Sequence, residues 1–189
     1  LNPNKIHIPI ENPISTNLNF LRSTLVPEIF EAIRFNIHRG SQKINIFEVG
    51  KVYSSKESNF VEELNLLFGS VNIGNFFVLK GKIEKFLQEC GLNKISFIKK
   101  TYIFSEEDNT SIFLNISNVG KIEIGNLFIP SEKVKNLYDI KKEEVYICEF
   151  YLEKFLNYMN FNKEFKELPK FPSSNRDFSF IFSSNIDWG

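Results

Sequence analysis

Cysteine and histidine are scarce, with two of each in 189 residues, and methionine and tryptophan occur once each. Cys90 and Cys148 stand far apart, outside any C-x-x-C or Cys/His spacing. That pattern argues for two buried thiols in a reducing compartment rather than a disulfide or a zinc site. A triad or a metal centre built on His7 or His38 needs a nucleophile or further ligands converging on it, and nothing in the sequence marks them. Charge of one sign is also lacking: 23 basic and 23 acidic side chains cancel. Charge alone therefore gives no reason to expect nucleic-acid binding. No apolar run approaches the roughly 20 residues of a membrane span. The first residues do not read as a basic-then-apolar leader.

What is present is phenylalanine, 21 copies within a chain that is 42% hydrophobic and 24% charged. This composition reads as a soluble globular protein long enough to bury a sizeable core. "KIHIPI" alternates as a short strand. Ser15, Thr16 and Asn17 can cap a short helical turn carrying Leu18, Leu21 and Leu25. A longer helix is predicted from Pro27 to His38, facing inward with Ile29, Ala32, Ile33 and Asn36, with Gly40 as a left-handed cap. His38, near its end, should meet the helix dipole or solvent.

"KINIFEVGKVY" and "ELNLLFGSV" read as strands. Asn75 can cap a helix over "FFVLKGKIEKFLQECG" with Leu79, Ile83, Phe86, Leu87 and Cys90 on one stripe. Further strands are expected in "KISFIKK", "SIFLNI", "GKIEIGNLFI" and "EEVYICEFYL". "PSEKVKNLY", with Pro130 in its opening turn, and "EKFLNYM" read as short helices. Strand runs broken by a few helices, without regular alternation, predict an α+β fold with a largely antiparallel sheet. "NKEFKELPKFP" reads as a linker, placing a domain over residues 1–162. In residues 163–189, Phe178, Phe180 and Phe182 alternate with other residues as the opening strand of a second unit.

Candidate chemistry is sparse. Gly74 and Gly81 lie too far apart for a phosphate loop, and Ile83 stands where its hydroxyl should be. A close helix packing is the better expectation for Gly81. Glu48 shares a strand face with Ile44 and Ile46, so burial of that face would bury a carboxylate that needs a partner. Arg22 and Arg34 are the nearest candidates. An Arg22–Glu48 pair tying the first helix to the strand is expected, with a ligand-facing role as the other possibility. Arg176 and Asp177, neighbours on a predicted strand, point to opposite faces and read as a tether of the strand entrance more than an RNA contact. No catalytic, cofactor-binding or metal-ligating set emerges.

Three stretches in order resemble one family. Asn12-Pro13, Leu21 to Pro27, Asn36 and Phe47 to Gly50 are similar to the C-terminal part of the β subunit of bacterial phenylalanyl-tRNA synthetase. "NFFVLKGKIEKFLQECG" is similar to its Asp-Phe-Phe-x-Leu-Lys-Gly helix, with Asn75 replacing the acid. "LPKFPSSNRDFSF" resembles the entry to its ferredoxin-fold anticodon-binding domain. The chain departs from the family in a short Ser54–Asn75 stretch, in the His-Pro-Gly segment missing near "YIFSEEDNTS", and in "GNLFIPSEKV", which lacks the histidine before its proline.

The resemblance implies a class II synthetase-like domain without catalytic residues, and then the start of the anticodon-binding domain. It implies a cytoplasmic α2β2 enzyme whose catalytic α subunit uses ATP and Mg2+, with tRNA(Phe) as the other partner. Editing residues would lie outside this chain. A catalytically active class II-like ATP-dependent domain and a stand-alone RNA-binding module are the alternatives.

Overall fold

A computed structural model describes residues 7–14, 19–56, 59–100, 104–105, 109–162, 176–179 and 181. Helix α1, Val26–His38, carries Pro27 in its first turn, where the missing N–H costs nothing. Beyond its end Gly40 adopts φ 87°, and Ser41 N–H closes onto Asn36 O at 3.1 Å. The helix buries Val26, Ile29, Phe30 and Ile33. Phe30 stacks on Tyr138 at 4.9 Å. Ala32 and Asn36, expected inside, are half-buried; Phe30 takes the centre of the stripe instead.

The helical turn expected before α1 is not formed at residues 19–25, and Ser15 to Leu18 lie outside the described residues. Residues 19–22 run extended instead: Ile10 N–H donates to Asn19 O and Leu21 N–H to Ile8 O, both at 2.9 Å. The strand expected in "KIHIPI" reduces, among the described residues, to one bridge between Pro9 and Phe20. Pro9 has no N–H to extend a ladder.

Strands β1 (Ile44–Lys56) and β2 (Asn59–Val71) form a long hairpin. β3 (Ile95–Lys99), β4 (Asn109–Ile116), β5 (Gly120–Phe128) and β6 (Val145–Tyr151) complete one six-stranded sheet. Its order is β1-β2-β6-β5-β4-β3 and every pairing is antiparallel. The α+β expectation holds. β6 sits inside the sheet and is buried on both faces, which explains its near-continuous apolar run. Val145 and Ile147 pack with α1 and its neighbours Leu67, Val71 and Phe128. Tyr146, Cys148 and Phe150 face the opposite way, toward α2.

Helix α2, Phe76–Glu89, starts at Asn75, whose Oδ1 accepts from Val78 N–H at 3.1 Å. It buries Leu79, Ile83 and Leu87. Gly91 follows at φ +80°, and a Cβ there would stand 2.2 Å from Asn160 O. That close approach lets Asn160 N–H donate to Cys90 O at 2.9 Å, returning the chain after β6 to the end of α2. Gly81 behaves otherwise than expected: it packs against nothing, with open space where a Cβ would project.

Helix α3, Glu132–Leu137, is capped by Ser131, so Pro130 precedes the cap rather than entering the first turn. "EKFLNYM" forms two short 3₁₀ turns, Leu152–Lys154 and Leu156–Tyr158, instead of a helix. Residues 176–179 are exposed and carry no regular structure, against the strand expected there. A strand needs a neighbour for its backbone groups, and among the described residues none pairs with this segment. Phe180, Phe182 and, apart from Asn162, the expected linker "NKEFKELPKFP" lie outside the described residues. No described helix is long and apolar enough to cross a membrane.

Candidate functional site

The segment Leu21 to Leu25, which leads into α1, fastens to the sheet at two places. First, Arg22 reaches over β1. Its Nη1 lies 2.7 Å from Glu48 Oε1, and its Nε donates to Lys51 O at 2.8 Å. Between those anchors the guanidinium passes over Gly50, where a Cβ would come within 2.2 Å of Nη2. Only glycine leaves that path open. The expected Arg22–Glu48 pair is therefore present, tying the segment before the helix, rather than the helix itself, to β1. Glu48 is half-buried, so the carboxylate keeps part of its hydration. Arg22 also lies 3.8 Å from Glu28 Oε1. Burial holds the Glu28 carboxyl above its ordinary 4.5, although its own backbone N–H and Arg22 pull it down.

The second anchor is Glu149 on β6, which no sequence pattern singled out. It is 2% exposed. Its Oε2 accepts from Thr24 Oγ1 at 2.9 Å, and its Oε1 from Leu25 N–H at 3.1 Å and Asn65 Nδ2 at 2.9 Å. The sequence signal was there: "YICEFY" holds one charge inside an otherwise apolar run, and a central strand hides both faces. Hydrogen bonds of this charge-assisted kind are what make such burial tolerable.

From Glu149 a polar band extends across the same sheet face. Asn126 Nδ2 donates to Tyr151 Oη at 2.6 Å. Ser111 Oγ lies 2.9 Å from Asn126 Oδ1 and 3.1 Å from Glu123 Oε1, and Lys100 Nζ meets Glu123 Oε2 at 2.9 Å. Burial first, and then the charges of Glu149 and Glu123, push the Tyr151 phenol well above its ordinary 10.0. The phenol thus stays protonated at neutral pH and serves as a neutral hydrogen-bonding group.

The remaining candidates stand apart. Arg34 bonds Glu31 one turn back at 2.8 Å, and Arg39 lies 3.5 Å over the Phe35 ring. Arg176 and Asp177 are exposed and outside any helix or strand. His38 Nε2 lies 3.6 Å from Asp139 at the exposed end of α1, and His7 meets the edge of Phe20 at 6.1 Å. Cys90 and Cys148 are free and buried, with burial pushing both thiols up. Among the described residues no three of His, Cys, Asp or Glu gather as metal ligands. A cleft of about 470 Å³ opens beside Arg22, Glu28 and Tyr53. Ile10, Pro13, Ile14 and Phe20 make its walls largely apolar, and its arginine is already bound to Glu48.

An antiparallel six-stranded sheet with helices on both faces is the fold of the class II aminoacyl-tRNA synthetases. The pyrrolysyl tRNA synthetase PylSc of Desulfitobacterium hafniense superposes with a TM-score of 0.62 at 14% identity, over 80% of this chain and 51% of that one. Residues 1–152 match the family described as the phenylalanyl tRNA synthetase beta chain CLM domain, and the chain belongs to that family. Among its relatives, the phenylalanine–tRNA ligase beta subunit of Clostridium acetobutylicum is 28% identical over 185 residues, 95% of this chain. That of Oceanobacillus iheyensis is 30% identical over 200 residues, 97% of this chain. The chain spans 22% and 24% of the lengths of these two relatives.

Proposed function

We propose that this chain is a part of the β subunit of a cytoplasmic phenylalanine–tRNA ligase, working as a non-catalytic scaffold. In this reading residues 1–162 form the synthetase-like domain that holds the catalytic α subunit within an α2β2 enzyme. Residues 163–189 lead toward the domain that reaches tRNA(Phe). The observation that carries it is the separation of the arginines on a synthetase fold. Arg22 is engaged by Glu48 on β1, Arg34 by Glu31 within α1, and Arg39, at the end of α1, by the Phe35 ring, whereas an ATP-activating site needs cations converging on phosphate.

ATP and Mg2+ belong, in this reading, to the α subunit. The described residues of this chain do not fit a metal site, and no step is assigned to them. What they do is mechanical. Glu149 and Arg22 pin the entry segment to the sheet, and the sheet fixes the surfaces around it. Phe35, Phe60 and Phe77, each more than half exposed, supply apolar area of the kind that obligate partners cover.

Co-expression with the α subunit tests the reading. A tagged α subunit is expected to retain this chain through purification, and Phe35→Asp or Phe60→Asp to weaken that retention. Separate elution of the two chains would overturn the scaffold role.

A further inference from the structure

The outer edge of β1 is guarded at one end only. Along an antiparallel strand, a residue turns its N–H and C=O to the same side, and the next residue turns them to the other. Outside the sheet, Tyr53 N–H donates to Arg22 O and Lys51 O accepts from Arg22 Nε, both at 2.8 Å. Odd-numbered residues of β1 therefore present their backbone outward. The pairing with β2 runs without a register shift from Ile44 to Lys56, so the same holds for Asn45, Phe47 and Val49. Among the described residues, no backbone bond from outside the sheet reaches these three. Proline, a bulge or an outward lysine, which usually blunt an edge, are missing from this stretch.

The side chains beside this open edge complete a receptor. Phe47 and Val49 are 68% and 51% exposed. Next to them a groove of about 290 Å³ runs between β1 and α2, floored by Phe47, Phe68, Ile83 and Phe86. Lys82 lines the same groove. Its neighbours Lys80 and Lys85 pair with Glu84 and Glu89, and among the described residues no ion pair is recorded for Lys82. An apolar floor, a cation on its wall and a row of open backbone groups select one kind of guest.

We propose that this edge is a strand-addition site for an extended segment of a partner protein. The segment lies along Asn45 to Val49 and exchanges backbone hydrogen bonds with Asn45, Phe47 and Val49. On its groove-facing side it sets a large apolar side chain onto Phe68 and Phe86, and two residues away a carboxylate at Lys82. Arg22 limits the guest's length, because it already occupies the edge from Lys51 onward. The site goes beyond the scaffold role and stands whether or not the α subunit binds this chain.

The test titrates the 189-residue chain, isotopically labelled for NMR, with the capped peptide Thr-Phe-Thr-Asp-Thr-Val, whose Phe and Asp share one face. Shifts and slowed amide exchange are expected at Asn45, Phe47 and Val49. Lys82→Glu should weaken binding about five- to tenfold. N-methylation of the peptide amides that face β1 should abolish it. Phe47→Asp, at an exposed position, is a second variant: it should weaken binding while its circular dichroism matches the parent's, and unchanged binding would count against the proposal. The proposal is overturned by no perturbation at about 1 mM peptide, by indifference to N-methylation, or by perturbed amides confined to places outside β1 and the groove beside it. Protection of the same three amides in the free chain that rises with its concentration would assign the edge to a second copy and also overturn it.

Discussion

Replacing Gly50 by alanine should destabilise the fold through a residue 28 positions away. The new methyl would stand 2.2 Å from Arg22 Nη2, 3.2 Å from its Cζ and 3.2 Å from Leu25 Cδ2. The guanidinium must leave, and it leaves two contacts. The bond to Lys51 O is worth about 0.5–1.5 kcal/mol. The pair with Glu48 has side chains 32% and 30% exposed, and solvent screening holds it to about 0.5–1 kcal/mol. Against this, alanine restricts the unfolded chain and returns about 0.4–1 kcal/mol. The balance is a net loss of about 1 kcal/mol.

The decisive comparison is the double-mutant cycle, read by urea unfolding followed by circular dichroism. In an Arg22→Ala background the obstacle is gone, and Gly50→Ala should become neutral or stabilising by up to about 1 kcal/mol. An equal loss in both backgrounds would refute the reasoning. So would a Gly50→Ala variant as stable as the parent.

Four further outcomes are expected. Glu149→Gln keeps the shape but replaces one carboxylate oxygen by an amide NH2, so that either Thr24 or the pair Leu25 and Asn65 loses its acceptor, costing about 1–3 kcal/mol in the same unfolding assay. Gly81→Ala, with open space around it, should stabilise by about 0.5–1 kcal/mol. Gly91→Ala combines φ +80° with a contact at Asn160 O and should destabilise by about 2 kcal/mol or more. Glu28 titrates above its ordinary 4.5 because of burial. A raised acid stabilises the fold relative to neutral pH while it is protonated, and that advantage is lost as pH rises through the folded-state value. Glu28→Gln should therefore gain stability against the parent above that range and lose the difference below it, as chemical unfolding at pH 4 and pH 7 would record.

Local signals were legible in the chain. The 3.6-residue stripes of α1 and α2, the Asn75 cap and the left-handed Gly40 all depend on neighbours within a turn or two. The Arg22–Glu48 pair was legible too, although 26 residues separate its members, because a carboxylate on an inward-leaning strand face demands a cation. The order β1-β2-β6-β5-β4-β3 was not legible, since it brings residues from opposite ends of the domain together. Glu149 escaped notice for the same reason: its donors Thr24 and Leu25 lie more than a hundred residues upstream. Leu18, Leu21 and Leu25 have helical spacing, yet residues 19–22 are drawn out along β1 by Arg22 O and the Pro9–Phe20 bridge. Gly81 misled because a helical glycine suggests close packing, and here the helix turns that residue to solvent. The alternation around Phe178 promised a strand, but a strand forms only beside a partner.

Phenylalanine-dependent ATP–pyrophosphate exchange measures the scaffold role most directly. The purified chain alone should exchange no label above background, while addition of the α subunit, together with the remainder of the β subunit, should restore the reaction. Exchange by the chain alone, abolished by Arg22→Ala or Arg34→Ala, would mean that these residues do chemistry and would contradict the scaffold role.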